Sequence, residues 1–294
     1  MSFLMDKNYR ELAREARIKI ITMIHKAQTS HVASNFSAVD IAVVLYNNLK
    51  EGDEVVWSAG WKAALIYRML AKQGKIPVED LEKFGKEIDG KIPYLGLAET
   101  STPGVHVSGG AMGHGLPVAV GMALAKKKSR EKGIIYCIMS DGEMQEGTTW
   151  EAAQMASHHK LNNLVVLVDY NKWCAMGKTN EVINLEPFED RWMGFGWKVQ
   201  RIDGHNYEHI EEALTTDFTE LNMGETGIMT PNIVDYQYKY KPMVIICDTI
   251  KGKGVSFIEN PPEHATLGDT GHLYHYKSID EEKYNLALKE LEKR

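Results

Sequence analysis

Two polar turns about thirty positions apart hold the residues of this chain that are best suited to bind a charged ligand. Asp141 follows an apolar, β-branched run at residues 134–139, and Asn171 follows a second run, LVVLV, at residues 164–168. Parallel strands deliver their carboxyl ends to one edge of a sheet, so both side chains are expected to face one crevice. A carboxylate and an amide oxygen suit a hard cation that carries a phosphate, although Asp and Asn are also common in plain turns. The spacing therefore predicts a cation and phosphate site at this edge.

A glycine-rich segment is a second candidate for ligand binding. In SGGAMGHGLPVAVG, four glycines at positions 109, 110, 113 and 115 lead into a predicted helix. Glycine lets a backbone come close to a ligand, and helix N-termini attract anions. Glycine-rich turns before helices also arise from tight packing alone, so both interpretations stay open.

Strand and helix patterns alternate along the chain and place these candidates. Short apolar runs predict strands at residues 54–58, 134–139, 164–168, 196–202 and 243–248. Helical patterns cover residues 7–28, a stretch ending near Leu49, residues 59–74, 78–88, a helix after Gly115, the segment around Trp150–Ala156, and residues 187–194, 206–214 and 280–294. This alternation predicts an α/β fold, a three-layer domain with a mostly parallel sheet between two layers of helices.

Two local features complete the predicted organisation. Ser37 is predicted to cap the helix that ends near Leu49, with Asp40 in the place of the usual capping-box Glu. Residues 215–242 fit no element, and a gap of this length predicts an insertion. No repeat or low-complexity linker divides the chain, so residues 1–294 are expected to form one domain.

Composition excludes several classes of protein. The chain of 294 residues is 44 % hydrophobic and 25 % charged, as in ordinary globular proteins, and its net charge of −6 argues against nucleic-acid and anionic-membrane binding. No apolar run approaches the roughly 18 residues that span a bilayer. The N-terminus lacks the order of a signal peptide, and Cys137, Cys174 and Cys247 are few and widely spaced. We expect reduced thiols and a cytoplasmic location.

Several segments resemble one enzyme family in detail. The segment SDGEMQEGTTWEAAQMASHHKLNNLVVLVDYNK resembles the thiamine-diphosphate motif, Gly-Asp-Gly followed by Asn, in its transketolase form. The segment PGVHVSGGAMGHGLPVAVGMALAKK is similar to the glycine-rich segment of transketolases. FGWKVQRIDGHN and TIKGKGVSFIEN also resemble that family, and the likeness extends over roughly residues 8–285 apart from the insertion.

The resemblance implies the diphosphate-binding half of a split transketolase. Thiamine diphosphate and Mg²⁺, with Ca²⁺ or Mn²⁺ as alternatives, are the implied cofactors. A separate pyrimidine-domain chain would supply the activating Glu, in a heterotetramer with two copies of each chain. The implied reaction transfers a two-carbon ketol unit from a ketose to an aldehyde acceptor, and this chain alone would be inactive.

The resemblance also implies a role for individual residues. Mg²⁺ would be held by Asp141, Asn171 and the carbonyl of Trp173. The implied cofactor-binding positions are Ser58, Trp61, Gly110, Met112, Gly142, Glu143 and Asn171, and backbone amides would serve the diphosphate at Gly142 and Glu143. The implied catalytic positions are His31, Glu146 and one of His264 and His275, with Glu146 linking cofactor sites across the subunit interface. Spacing from KGKG favours His264, whereas the aromatic flank favours His275, so both stay open.

Some positions depart from the family pattern. Trp61 and Leu97 stand where the family has His, Ser140 replaces a Gly, and Met112 and His114 replace a Leu and a Gln. An indole cannot titrate as an imidazole does, so these departures leave open whether the substrate is an ordinary sugar phosphate. The alternatives are the alpha chain of a 2-oxoacid dehydrogenase, which shares the diphosphate motif, and a transketolase-like scaffold that has lost catalysis.

Overall fold

A parallel sheet forms the centre of the structure. The computed structural model describes residues 8–215, 240–259 and 273–293, and within these ranges five strands pair in the order β1-β2-β3-β5-β4. The strands are β1 Glu54–Trp57, β2 Ile135–Ser140, β3 Leu164–Tyr170, β4 Lys198–Asp203 and β5 Met243–Asp248. Every pairing is parallel, which confirms the predicted α/β sheet.

Helices cover both faces of this sheet. They are α1 Tyr9–Ala27, α2 Val32–Ser37, α3 Val39–Asn48, α4 Ala63–Lys72, α5 Gly115–Ser129, α6 Gly147–His158, α7 Thr179–Val182, α8 Phe188–Gly194, α9 Tyr207–Thr215, α10 Ser256–Glu259, α11 Leu273–Tyr276 and α12 Glu281–Glu292. Two 3₁₀-helices lie at Val78–Lys83 and Asp141–Gln145. No helix of the described ranges is long and apolar enough to cross a membrane.

Two hydrophobic cores lie on opposite faces of the sheet because strand side chains alternate between the faces. One core joins α1, α3, α4, α9 and α12 to Tyr136, Ile138 and Leu167. The other joins α5, α6 and α8 to Cys137 and Val166. The result is the predicted arrangement of three layers, and the three cysteines are unpaired and buried.

The strand register brings distant polar residues to one edge. Ser140, the last residue of β2, lies opposite Asp169 of β3, and Tyr170 lies opposite Asp248 of β5. The residues that follow these strands, Asp141 and Asn171, therefore emerge side by side.

The predicted cap of the helix that ends near Leu49 was wrong. Residues 32–37 form the short helix α2, and α3 begins at Val39 with no side-chain cap at Ala38. Ser37 does not cap that helix because its hydroxyl donates instead to Ser34 O at 3.1 Å and to Asp169 Oδ2 at 2.6 Å. Ser37 is itself the last residue of α2, and its hydrogen bond to a charged carboxylate is stronger than the neutral bond of a helix cap.

Two further predictions have a partial outcome. The helix expected over residues 78–88 is a 3₁₀-helix that ends at Lys83. The predicted insertion at 215–242 lies largely outside the described residues, which leave out 216–239.

Candidate functional site

Asp141 opens the 3₁₀-helix after β2 and is completely buried. Its Oδ1 accepts a hydrogen bond from the Gly142 amide at 3.0 Å, whereas its Oδ2 is buried with no hydrogen-bond partner among the described residues. Burial, and then the nearby Asp169 carboxylate, raise the pKa of Asp141 to about 7. A buried carboxylate oxygen without a partner is costly, and a bound cation would remove that cost.

Asn171 lies beside Asp141 in a fixed orientation. Its Nδ2 donates to Asp169 Oδ2 at 3.2 Å and to Ser37 Oγ at 3.4 Å. Its Oδ1 accepts the Trp173 amide at 3.1 Å and keeps a second lone pair. The structure thus places three predicted metal-site residues, Asp141, Asn171 and Trp173, in the loops after β2 and β3, at one edge of the sheet.

A buried cluster of charges that the sequence did not reveal lies beneath these residues. Asp169 and Lys62 are both completely buried, and Lys62 Nζ donates to Asp169 Oδ2 and to Ser34 O, each at 2.6 Å. The Thr249 hydroxyl donates to the other oxygen of Asp169. Burial opposes ionisation of Asp169, but the charge of Lys62 and these hydrogen bonds outweigh it and lower the pKa of Asp169. Asp169 is therefore satisfied by protein groups and leaves the cation position to Asp141.

Lys251 provides a second buried cation on the other side of the crevice. Its side chain reaches toward Trp173, with Nζ 5.9 Å from the ring centre, and lies 3.3 Å from His275 Nδ1. Burial lowers the pKa of Lys251 to about 8, against the attraction of Asp141. A pocket of about 190 Å³ lies here, lined in part by Asn171, Trp173, Thr249 and Lys251. A cation at the wall of such a pocket favours an anionic ligand.

Two histidines meet at the mouth of the crevice. His31 directly precedes α2 and has a left-handed backbone conformation, at φ 71°, and its amide donates to the carbonyl of His275 at 3.0 Å. The two rings pack edge to face with centroids 4.7 Å apart. Burial, followed by the charges of Lys251 and Lys62, lowers the pKa of His31 to about 4, so its imidazole is neutral at neutral pH. His264, the other candidate, lies outside the described residues.

His31 gives the fold a specific sensitivity to acid. Its pKa is about 4 in the folded chain against an ordinary value of 6.5, so the unfolded chain binds this proton more readily between those values. Stability is therefore lost as pH falls through this window, by up to about 3 kcal/mol. We expect the His31→Gln variant to lose less stability than the wild type between pH values near 7 and near 5, measured by urea unfolding. Equal losses in the two proteins would contradict this assignment.

Glu143 joins three segments through its side chain. It is completely buried, and its Oε1 accepts from the Ser58 hydroxyl and from the Gly113 amide at 3.1 Å, while Oε2 accepts the Ser140 amide at 2.9 Å. Burial raises the pKa of Glu143, and these hydrogen bonds oppose that change. The carboxylate thus connects the ends of β1 and β2 to the glycine-rich segment.

The glycine-rich segment packs closely against the rest of the site. A Cβ at Gly109 would lie 2.6 Å from Gly60 Cα, and Gly113, at φ 75°, would place a Cβ 2.7 Å from Glu146 Cβ. Tight packing therefore accounts for these two glycines. Gly110 is exposed, and Met112 is half-buried with its sulfur 3.9 Å from the position of a Cβ on Gly142.

The remaining predicted site positions lie around the same edge. Trp61 is half-buried just before α4, and its carbonyl accepts from Asn35 Nδ2 at 3.5 Å. Glu146 is half-buried immediately before α6, without a side-chain bond to that helix. Sequence reasoning missed Lys62, Asp169 and Lys251. A lysine in the otherwise apolar start of a helix, as in WKAALI, was the available signal for Lys62.

The donor set fits Mg²⁺ together with a phosphate group. The described ranges contain no group of three or more His, Cys, Asp or Glu side chains that could hold a metal. A cation beside Asp141 would therefore take amide, carbonyl and ligand oxygens, which is how Mg²⁺ binds with phosphates. The orphaned Oδ2 of Asp141 supports this fit.

The chain matches known proteins over nearly its full length. The family model described as transketolase, thiamine diphosphate binding domain, matches residues 9–271. One subunit of the apulose-4-phosphate transketolase of Actinobacillus succinogenes is 34 % identical over 298 residues, covering 97 % of each chain. The 6-deoxy-6-sulfo-D-fructose transketolase subunit SqwG of a Clostridium species is 34 % identical over 280 residues, covering 92 % of this chain and 91 % of that one.

Longer proteins match over part of their length. The crystal structure of transketolase from Campylobacter jejuni superposes with a TM-score of 0.79 at 29 % identity, over 97 % of this chain and 42 % of that one. Human transketolase is 27 % identical over 266 residues, 85 % of this chain and 38 % of the human protein.

Proposed function

The chain belongs to the transketolase family, and we propose that it is the diphosphate-binding subunit of a two-chain transketolase. The observation that carries this proposal is the buried, unpartnered Oδ2 of Asp141 beside Asn171, opposite the buried cation of Lys251. The relatives named as subunits support a separate partner chain. The family match favours this reaction over that of a 2-oxoacid dehydrogenase alpha chain.

In this proposal each residue has a defined task. Asp141, Asn171 and the carbonyl of Trp173 would hold Mg²⁺, and Lys251 would balance the negative charge of the diphosphate. Thiamine diphosphate, when bound, supplies a nucleophilic carbon that also accepts electrons. Glu146 would contact the partner chain, which provides the pyrimidine site and the activating Glu.

The two histidines would serve the substrate. His31 is neutral at neutral pH, so its ring can donate one hydrogen bond to a developing alkoxide or move one proton. His275 is held against His31 by the bond from the His31 amide and lies 3.3 Å from Lys251 Nζ. This pair would orient a ketose hydroxyl at the mouth of the crevice. We assign a substrate role to His275 on this placement, whereas His264 lies outside the described residues.

The substrate we propose is a modified ketose. Trp61 is half-buried and Leu97 is 40 % exposed at positions where the family has His, which removes two imidazoles from the substrate side. Relatives named for apulose-4-phosphate and for 6-deoxy-6-sulfo-D-fructose support an unusual ketose. The unpaired, buried cysteines agree with the cytoplasmic location that we also propose.

Partner dependence tests the proposal directly. We expect the purified chain, supplied with Mg²⁺ and thiamine diphosphate, to show no ketol transfer, because the proposed activating Glu lies on the partner chain. Adding the pyrimidine-domain chain should restore transfer from a ketose, measured as aldose release over a panel of phosphorylated and sulfonated ketoses. Ketol transfer by the chain alone would refute the division of labour, and turnover of pyruvate with a lipoyl acceptor would favour the dehydrogenase alternative.

A further inference from the structure

The segment 249–254, which carries Lys251 into the crevice, is held in place from outside the crevice. The amide of Ile250 donates a hydrogen bond of 2.8 Å to Nε2 of His205, in the turn after β4. Ile250 precedes Lys251, so this bond fixes the backbone at the point where the lysine side chain departs. The GHN turn that contains His205 resembles the transketolase family but has no part in the function proposed above.

Asp40 connects His205 to a second anchor of the same segment. Asp40 Oδ2 lies 2.8 Å from His205 Nδ1, and the carboxylate accepts from Arg17 Nη1 at 2.9 Å and Nη2 at 2.7 Å. The Tyr207 hydroxyl donates to Oδ1 at 3.1 Å. Arg17 also donates through Nε to the Lys253 carbonyl at 2.7 Å. Asp40 and Arg17 are 2 % and 6 % exposed, so the centre of this network is buried. The network bonds to segment 249–254 at two points, the Ile250 amide through His205 and the Lys253 carbonyl through Arg17.

The hydrogen bonds of His205 fix which ring nitrogen carries the proton. A backbone amide can only donate, so Nε2 must accept and the proton of the neutral ring must lie on Nδ1, facing Asp40. Burial alone would raise the pKa of Asp40, but the Arg17 guanidinium and the hydrogen bond from His205 hold it well below its usual range. Asp40 is therefore a permanent acceptor for the Nδ1 proton. In the opposite tautomer, the N–H at Nε2 would face the Ile250 N–H, which is also a donor. The unprotonated Nδ1 would face Asp40 Oδ2, which is also an acceptor.

We propose that His205 is a positioning residue for Lys251, acting as the Nδ1-protonated tautomer that Asp40 selects and that accepts the Ile250 amide. The role of Lys251 toward the diphosphate rests on the proposed function, whereas the tautomer and the anchoring of Ile250 do not. Losing the acceptor removes the hydrogen bond that holds the Ile250 amide and lets the segment that carries Lys251 shift. Cofactor affinity then falls although His205 touches no part of the cofactor site.

The tautomer is tested first, on the full chain without cofactor. Long-range ¹H–¹⁵N spectra of the histidine rings distinguish a ring protonated at Nδ1 from one protonated at Nε2. We expect His205, assigned through the loss of its signals in His205→Gln, to show protonated Nδ1 at neutral pH. A proton on Nε2 would overturn the inference, whatever the chain binds.

Two variants then test the anchoring. In His205→Gln the side-chain carbonyl can accept the Ile250 amide, and in His205→Phe it cannot. We expect His205→Phe to weaken binding of Mg²⁺ and thiamine diphosphate about tenfold in calorimetric titration, and to speed hydrogen exchange of the Ile250 amide about tenfold. His205→Gln should stay close to the wild type in both. His209→Phe, at an exposed histidine on α9, is the matched control and should change neither measurement.

The outcomes separate this inference from the proposed function. A wild-type chain that does not bind the cofactor would count against the proposed function, and the tautomer and the Ile250 exchange would still decide the inference. A wild-type chain that binds while His205→Phe binds equally well would overturn the inference alone. Equal losses in His205→Gln and His205→Phe would do the same, because the acceptor would then not be what matters.

Discussion

Replacement of Asp141 by alanine should abolish Mg²⁺-dependent binding of thiamine diphosphate. Asp141 is the only carboxylate among the three proposed metal ligands. Even substitution of a residue that only hydrogen-bonds to a metal ligand costs about 10–100-fold in metal affinity. We therefore expect a loss above about a hundredfold, measured by calorimetric titration of the chain with thiamine diphosphate in the presence and absence of Mg²⁺. The chain itself should fold at least as well as the wild type, because the lost Oδ2 has no hydrogen-bond partner among the described residues and the Asp169 carboxylate repels it.

A matched control distinguishes the site from a general effect of removing a carboxylate. Asp190→Ala removes an exposed aspartate from α8 and should leave cofactor binding unchanged. Binding of wild-type strength by Asp141→Ala would refute the metal assignment. A fall in binding that does not depend on Mg²⁺ would place Asp141 at the diphosphate rather than at the cation.

Replacement of Lys62 by methionine should destabilise the fold strongly. Lys62 and Asp169 are a fully buried ion pair, with side chains 0 % exposed and Nζ 2.6 Å from Oδ2. Removing one partner leaves an uncompensated buried charge, which costs about 3–5 kcal/mol. The loss should appear as a lower midpoint of urea unfolding with an unchanged dependence on denaturant. Because Asp169 also fixes Asn171, the remaining folded protein should bind the cofactor more weakly.

Two further variants show whether the buried charge is the cause. In the double variant Lys62→Met with Asp169→Asn, the neutral amide no longer needs a cation, so much of the lost stability should return. Lys19→Met breaks a solvent-accessible pair with Glu82 and should change the free energy of unfolding little. A double variant no more stable than Lys62→Met would show that packing of the lysine chain, and not its charge, is what the core requires.

The arrangement of Asp141 and Asn171 was predictable because it follows from local rules. Each residue comes directly after an apolar strand, and parallel pairing takes both to one edge whatever the rest of the chain does. The identity of the bound group was not predictable from those two residues. It came from the longer resemblance around them, since Asp and Asn after strands are ordinary turn residues.

The supporting residues were not predictable, since their partners are distant in sequence. Lys62 and Asp169 are 107 positions apart, and Asp40 and His205 are 165 apart. Local capping rules even assigned Ser37 and Asp40 to the start of α3. In the folded chain both side chains are used by buried charges, Ser37 by Asp169 and Asp40 by Arg17 and His205. A tertiary hydrogen bond with a charged group is stronger than the neutral hydrogen bond of a helix cap.

The hydrogen bonds around Asp169 bear on how the protein takes up its cofactor. Lys62, Ser37, Asn171 and Thr249 all already donate to this carboxylate, so the amide of Asn171 is oriented before any ligand arrives. Ordering of side chains is one of the main entropic costs of binding. Here these side chains are already ordered in the folded chain, so binding loses less side-chain entropy. We therefore expect cofactor binding to require little rearrangement of the side chains around Asp169 and Asn171.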